Sequence, residues 1–295
     1  MPFNRLALLF PAVVCVALFG CNGDTPGEGN GTDTAAVADS MPHEVRIVKG
    51  EHGPAFPDVK LNVLAPAADA VITTDSVMVK VELTGVDLTA PTAGEQSKGI
   101  AYSKEGQHIH VIIDDKPYMA MYKQDSFSVG KLAEGVHTLR AFPSRSWHES
   151  IKTPGAFVSH NFYVAKKEGD PVLKPNEPLL TYSRPKGDYK GDDAKRILLD
   201  FYVANAELGP DKYRVIASID GQVKDTLSEW IPYFIEGLSD GSHTVKLQLI
   251  GPDGQPIPGR YNSPEQTIHV NPAATASAAP AHDSAMGHGG DTTKH

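Results

Sequence analysis

The stretches LAEGVHTL (132–139) and LSDGSHTV (238–245) share one pattern: Leu-x-x-Gly-x-His-Thr followed by an aliphatic residue. Outward from them the likeness continues. Ile113-Asp114 precedes the first copy as Ile219-Asp220 precedes the second, and Asp114 to His137 spans 23 residues, as does Asp220 to His243. The offset of 106 holds through Phe127/Tyr233, Val129/Ile235 and Val164/Val270. Upstream, Val79-x-Val81-x-Leu83 pairs with Leu199-x-Phe201-x-Val203 at an offset of 120, so the first copy carries 14 extra residues between its second and third strands. Around these anchors lie short alternating runs, Val77–Leu83, His108–Ile113, Thr138–Phe142, Ile197–Val203, Tyr213–Ile219 and Thr244–Leu249, each bounded by Gly, Pro, Asp or Asn. Period two between turn signals reads as strand, and no 12-residue window carries a helical period. The expectation is an all-β chain of two tandem antiparallel β-sandwiches, 55–168 and 175–271, joined by the Lys- and Pro-rich stretch Lys166–Pro178.

Repeats of about 100 residues with about seven strands have the size of an immunoglobulin-type sandwich. The Gly135-Val136-His137-Thr138-Leu139 turn and strand resembles that of bacterial immunoglobulin-like surface modules. HIHVIID (108–114), with His137 and His148, is similar to a small uncharacterised family of periplasmic His-rich sandwich domains, a resemblance that implies no reaction.

The two ends read differently. Met1–Arg5 carries one positive charge, and Leu6–Gly20 is an apolar run of 15. That is too short to span a bilayer, which takes about 20 residues, so 1–20 reads as a secretory signal. The run closes on Leu18-Phe19-Gly20-Cys21. This resembles the lipobox of bacterial lipoproteins, which implies cleavage before Cys21 and lipidation of its thiol. The other cysteine, Cys15, falls in the removed segment, so no internal disulfide can form. A lipidated thiol accounts for an otherwise odd lone cysteine in an oxidising compartment. Residue 22 is Asn rather than an acid; in a host with two membranes and the common lipoprotein sorting rules, the resemblance then implies the outer membrane. The expected location is the cell envelope, lipid-anchored on the periplasmic side of the outer membrane or at the cell surface. Residues 21–54 are polar and Gly-rich at first and read as a flexible tether; 272–295 read as a disordered tail with His282, Met286, His288 and His295.

Charge narrows the partners. Lys and Arg total 27 against 36 Asp and Glu, a formal charge of −9, which argues against nucleic acid. A Gly-x-Ser-x-Gly match at Gly237–Gly241 lies in a strand–turn–strand context, where serine is a turn residue and not a hydrolase nucleophile. There is no phosphate loop, dinucleotide fingerprint or HExxH, so no enzyme is expected and no cofactor beyond a possible copper or zinc ion.

His137 and His243 recur in both repeats and read as a fold requirement, an imidazole bonding a turn carbonyl. His108, His110, His148 and His160 have no histidine counterpart in the second repeat. His108 and His110 alternate with Ile109 and Val111, so both rings share one strand face, about 6.6 Å apart. The 14-residue insertion falls in the first domain's B–C loop and Arg145-Ser146-Trp147-His148 in its F–G loop, and these loops share one end of such a sandwich. Insertion, His pair, Trp147 and His148 should therefore converge at one tip. Two functions fit there. One is copper or zinc capture by His108, His110 and His148, with His160 or Met119 as a further ligand. The other is recognition of an envelope protein or glycan by Tyr102, Arg145 and Trp147. A plain solvated His pair is the remaining alternative. Of these, the expectation is a non-enzymatic, lipid-anchored envelope protein that binds or scaffolds through its tandem domains, with metal binding as the second reading.

Overall fold

The computed structural model describes residues 44–74, 76–94, 99–124 and 126–274. The signal segment, Cys21, most of the tether and the His-containing tail lie outside these residues.

A first strand, β1 (Arg46–Lys49), precedes both repeats. The first repeat forms β2 (Lys60–Ala65), β3 (Val71–Ile72), β4 (Val77–Thr84), β5 (His108–Ile113), β6 (Met119–Met121), β7 (Phe127–Gly130), β8 (Gly135–Ser144) and β9 (Val158–Val164). The second forms β10 (Leu179–Arg184), β11 (Gly187–Lys190), β12 (Arg196–Ala204), β13 (Arg214–Ile219), β14 (Gln222–Leu227), β15 (Tyr233–Glu236), β16 (Gly241–Ile250) and β17 (Glu265–Asn271), with one 3-10 turn at Gly191–Ala194.

Each repeat is a sandwich with the same strand order. Sheet β2-β4-β7 faces β3-β9-β8-β5-β6, and β1-β15-β12-β10 faces β11-β17-β16-β13-β14. Pairing is antiparallel except for β3 with β9 and β11 with β17. Once β1 is set aside, the two orders superimpose strand for strand, in the manner of an immunoglobulin-like sandwich. The fold class expected from the repeat is the one observed.

Alternation explains each core. In β4 every second residue, from Val77 to Leu83, is buried and the intervening ones are exposed. Val79, Val81, Ile109, Val111, Leu139 and Phe162 lie in the core of the first sandwich; Leu199, Phe201, Val215, Ile235, Val245 and Leu247 lie in the core of the second. The His137 and His243 turns are built alike. His137 Nε2 donates to the Ala133 carbonyl and Nδ1 to the Asp114 carboxylate, at 2.8 and 2.7 Å. His243 does the same to Ser239 and Asp220, at 3.1 and 2.7 Å. Both nitrogens of each ring close the turn, which is the fold role expected for these two residues.

Two strands depart from simple alternation. All six residues of β5 are buried, as are seven of nine in β12. Strands buried on both faces are covered on both faces. Ile112, Tyr118, Ala120 and Phe142 of the first repeat pack on Tyr202 of the second, with Phe157 and Trp230 alongside. Trp147 and Ile100 pack on Leu198 and Phe234. The outer faces of β5 and β12 therefore share a third apolar layer between the two cores. Within it, the Lys152 ammonium pairs with the Asp200 carboxylate, which also accepts the Ser150 amide.

The tether is shorter than expected. Residues 46–49, placed in it by composition, pair with β15 as an edge strand, and Ile47 packs against the second core while Arg46 pairs with Glu236. Val45 and Ile47 supply a short period-two signal that the surrounding polar sequence obscures. Farther on, the Pro54 carbonyl accepts a 2.7 Å hydrogen bond from Arg145.

Candidate metal centre

The site starts from the geometry of β5. His108 and His110 point to the face opposite Ile109 and Val111, and that face is the one covered by the second repeat; both rings are wholly buried. The third imidazole arrives on the loop after β8. His148 stands at φ +68°, a left-handed backbone that few non-glycine residues adopt, and the whole segment Ser144–Ser150 is buried. Loops normally run over the surface, so a buried loop must satisfy its polar groups internally. The insertion supplies partners: the Thr92 amide donates to Ser146 Oγ, the Ser146 amide to Thr92 Oγ1, and the Ser103 amide to the Ser146 carbonyl, at 2.8, 3.0 and 2.7 Å.

Three ring nitrogens meet. His108 Nε2 lies 3.0 Å from His110 Nε2 and 3.1 Å from His148 Nδ1, and all three atoms lie within 4.8 Å of one another. Metal–imidazole bonds of about 2.0–2.1 Å place donor nitrogens roughly 3.3–3.5 Å apart in tetrahedral or trigonal geometry. The first two separations are within a few tenths of an ångström of that.

Proton accounting points the same way. His108 Nδ1 is 2.9 Å from the Gly106 carbonyl, which can only accept, so Nδ1 carries the proton and Nε2 presents its lone pair. That single lone pair faces two other ring nitrogens. One N–H can bond it; the second nitrogen then competes for the same lone pair or opposes it with its own. A cation at the centre satisfies all three. His110 Nδ1 lies 3.2 Å from Ser183 Oγ of the second repeat, and His148 Nδ1 lies 3.2 Å from the Tyr118 hydroxyl. A carbonyl or hydroxyl on the far ring nitrogen is the outer partner that orients metal-binding imidazoles, and His108 and His110 both have one.

Electrostatics disfavour the charged form of His110 and His148. Burial, then His108, Arg184 and Lys186, hold His110 well below its ordinary value. Burial, then Arg184 and the two other imidazoles, do the same for His148. Tyr118 stacks on His110 with ring centres 3.5 Å apart, and Lys186 Nζ lies 3.8 Å from the centre of the Tyr118 ring.

Other residues singled out from sequence fall elsewhere. His160 sits on β9, two strands from β5, and bonds the Pro66 carbonyl at 2.9 Å. Met119 pairs with Val111, whose side chain faces the first core, so Met119 is on the wrong side of the sheet to be a ligand. Trp147 is buried, its indole N–H donating to Glu149 Oε2 at 2.8 Å. Arg145 is buried too, bonding Ser150 O and Pro54 O and pairing with Glu149. Neither presents a recognition surface, because the third apolar layer covers the end of the sandwich that sequence left open. Tyr102 is exposed. The residues that sequence missed are Tyr118, Ser183, Arg184 and Lys186; three of the four come from the second repeat, and no pattern within the first repeat points to them.

No family model and no curated protein matches the chain. Solved structures do. Fibronectin(III)-like modules of Clostridium thermocellum CbhA align at 12% identity over 75% of this chain and 99% of theirs, with a TM-score of 0.27. The central fibronectin-III array of RIM-binding protein aligns at 8% over 76% and 71%, TM-score 0.24. Bacteroides ovatus SGBP-B, solved in complex with a mixed-linkage heptasaccharide, aligns at 12% over 71% of this chain and about half of its own length (47%), TM-score 0.21.

Proposed function

We propose that the chain is a non-enzymatic envelope protein, anchored through lipid on Cys21, that holds one transition-metal ion between its two repeats. His108 Nε2, His110 Nε2 and His148 Nδ1 are the ligands. The observation that carries this is the spacing of those three nitrogens around one unprotonated lone pair. Imidazole is a ligand for copper and zinc. The ion would hold the first repeat's β5 and the loop after β8 in place, with Ser183 of the second repeat orienting His110. Burial of Trp147 and Arg145 takes away two of the three side chains on which protein or glycan recognition rested and leaves Tyr102 alone exposed, which favours the metal reading over that alternative.

Calorimetric titration of copper and zinc salts into the full chain tests this. One ion per chain should bind with micromolar or tighter affinity and be lost in His108→Gln and His148→Gln, while weak binding by the tail histidines persists in both. Identical isotherms for the parent and both variants would refute it. The anchor is tested separately: Cys21→Ser should move the protein from the membrane to the soluble fraction.

A further inference from the structure

We infer that residues 50–56 form a strap whose closure over the loop after β8 is coupled to metal binding by His148; the inference rests on the metal-centre reading above. After β1 the Gly50 amide donates to the Pro232 carbonyl of the second repeat at 2.9 Å. The chain then crosses to the first repeat, where β2 begins at Lys60. Residues 50–56 belong to no strand or helix, and Glu51, His52, Pro54 and Ala55 are exposed. Gly53, in their midst, is buried. A Cβ on Gly53 would stand 2.6 Å from Trp147 Cζ2 and closer still to Arg145 Nε. The strap lies flat on these two side chains because it has none of its own at that point.

Its polar contacts go to the same loop. The Pro54 carbonyl accepts from Arg145 at 2.7 Å. The Gly53 amide lies 3.5 Å and His52 Nδ1 3.7 Å from Glu149 Oε1. The other Glu149 oxygen accepts from the Trp147 indole at 2.8 Å, and Arg145 pairs with the carboxylate at 3.2 Å. The loop therefore has two faces. Arg145, Trp147 and Glu149 reach the strap, while the intervening Ser146 and His148 reach Thr92 of the insertion and His108 of the imidazole centre. One buried loop holds a metal ligand on one face and the seat of the strap on the other.

An ion on His148 Nδ1 would fix the loop in this conformation, and the fixed loop presents its other face to the strap. Such coupling is reciprocal: the factor by which the ion favours the closed strap is the factor by which the closed strap favours the ion. The strap is the cover able to respond. It has no secondary structure, and its two contacts to Glu149 are long for hydrogen bonds. The insertion holds its side of the loop through bonds of 2.7 to 3.0 Å.

Hydrogen exchange of the full chain, read by mass spectrometry with and without copper(II) or zinc(II), tests this, with binding isotherms measured on the same samples. An ion held by the three histidines should slow exchange of the amides of 50–56 about tenfold and leave those of the edge strand β14 within about twofold. His148→Gln should abolish both binding and protection. Gly53→Val, which props the strap off the loop, should weaken ion binding about tenfold in a chain shown by its thermal melt to be folded. Glu149→Gln serves if Gly53→Val is not folded. Binding at those histidines with unchanged exchange of the strap, slowing spread equally over strap and β14, or unchanged affinity in the folded strap variant overturns the coupling and leaves the metal centre standing. Absence of both ions from those histidines overturns the two together.

Discussion

Gly106 offers a strict test of how the insertion holds the centre. Its φ is +86°, and a Cβ there would lie 2.4 Å from the Thr89 carbonyl oxygen, 2.6 Å from Thr89 C and 2.7 Å from the Ala90 oxygen. These are backbone atoms and cannot swing aside as a side chain would. Reaching van der Waals distance requires a displacement of about 1 Å. That strains the two hydrogen bonds that close the loop on itself, Thr89 amide to Gln107 carbonyl and Gln107 amide to Ala90 carbonyl, at 2.8 and 2.9 Å. Gly106→Ala therefore carries a left-handed backbone penalty of about 1–2 kcal/mol and a crowding penalty of about 1–3 kcal/mol, together about 2–5 kcal/mol. Gly99, in the same insertion, is the matched control: its φ is +70° and a Cβ meets nothing within 4 Å. Gly99→Ala should show the backbone penalty alone. Urea unfolding of both variants reads the difference, expected at about 1–3 kcal/mol. Because the Gly106 carbonyl fixes the His108 tautomer, Gly106→Ala should also weaken metal binding about tenfold to a hundredfold. Equal stability of the two variants would refute the view that the insertion is packed onto the base of β5.

The third layer makes its own prediction: Asp200→Ala leaves the Lys152 ammonium buried without its counter-ion and should lower unfolding free energy by about 3–5 kcal/mol. Replacing both residues by apolar side chains of similar volume should recover most of that loss, and a single variant no less stable than the parent would contradict the buried pair. Acid sensitivity follows from Asp220. Burial works to raise its carboxyl, but the His243 ring and the Thr244 amide outweigh burial and hold it below the usual carboxylate value. A group depressed in the folded state adds stability above its unfolded value, and that stability is lost as pH falls through the folded one. Unfolding midpoints should therefore decline as pH falls below about 4, with a shallower decline in Asp220→Asn; parallel profiles would contradict the assignment.

The strands were legible because a half-covered sheet enforces period two, and the repeat was legible because His137 and His243 close the same turn on Asp114 and Asp220. The pairing of His108 with His110 follows from alternation alone, and the arrival of His148 follows from loop order in this type of sandwich. Burial was the part that escaped. Ile112 on the outward face of β5 and the unbroken apolar run ILL and FYV around Asp200 in β12 are the traces of a second covered face, but they do not say what covers it. His160 shares the composition of the site and not its place, since two strand spacings of about 4.8 Å separate β9 from β5. Trp147 looked like an exposed anchor because loop tryptophans often are; here Glu149 satisfies its N–H within the chain and lets the ring go inside.

The central claim is that one ion sits among His108 Nε2, His110 Nε2 and His148 Nδ1. Diffraction from crystals grown with copper, collected on either side of the copper absorption edge, tests it most directly. The account predicts a single anomalous peak per chain about 2.0–2.1 Å from all three nitrogens, absent from His148→Gln crystals. Copper-bound protein with no peak among those nitrogens, or with density only at histidines of the tail, would contradict it.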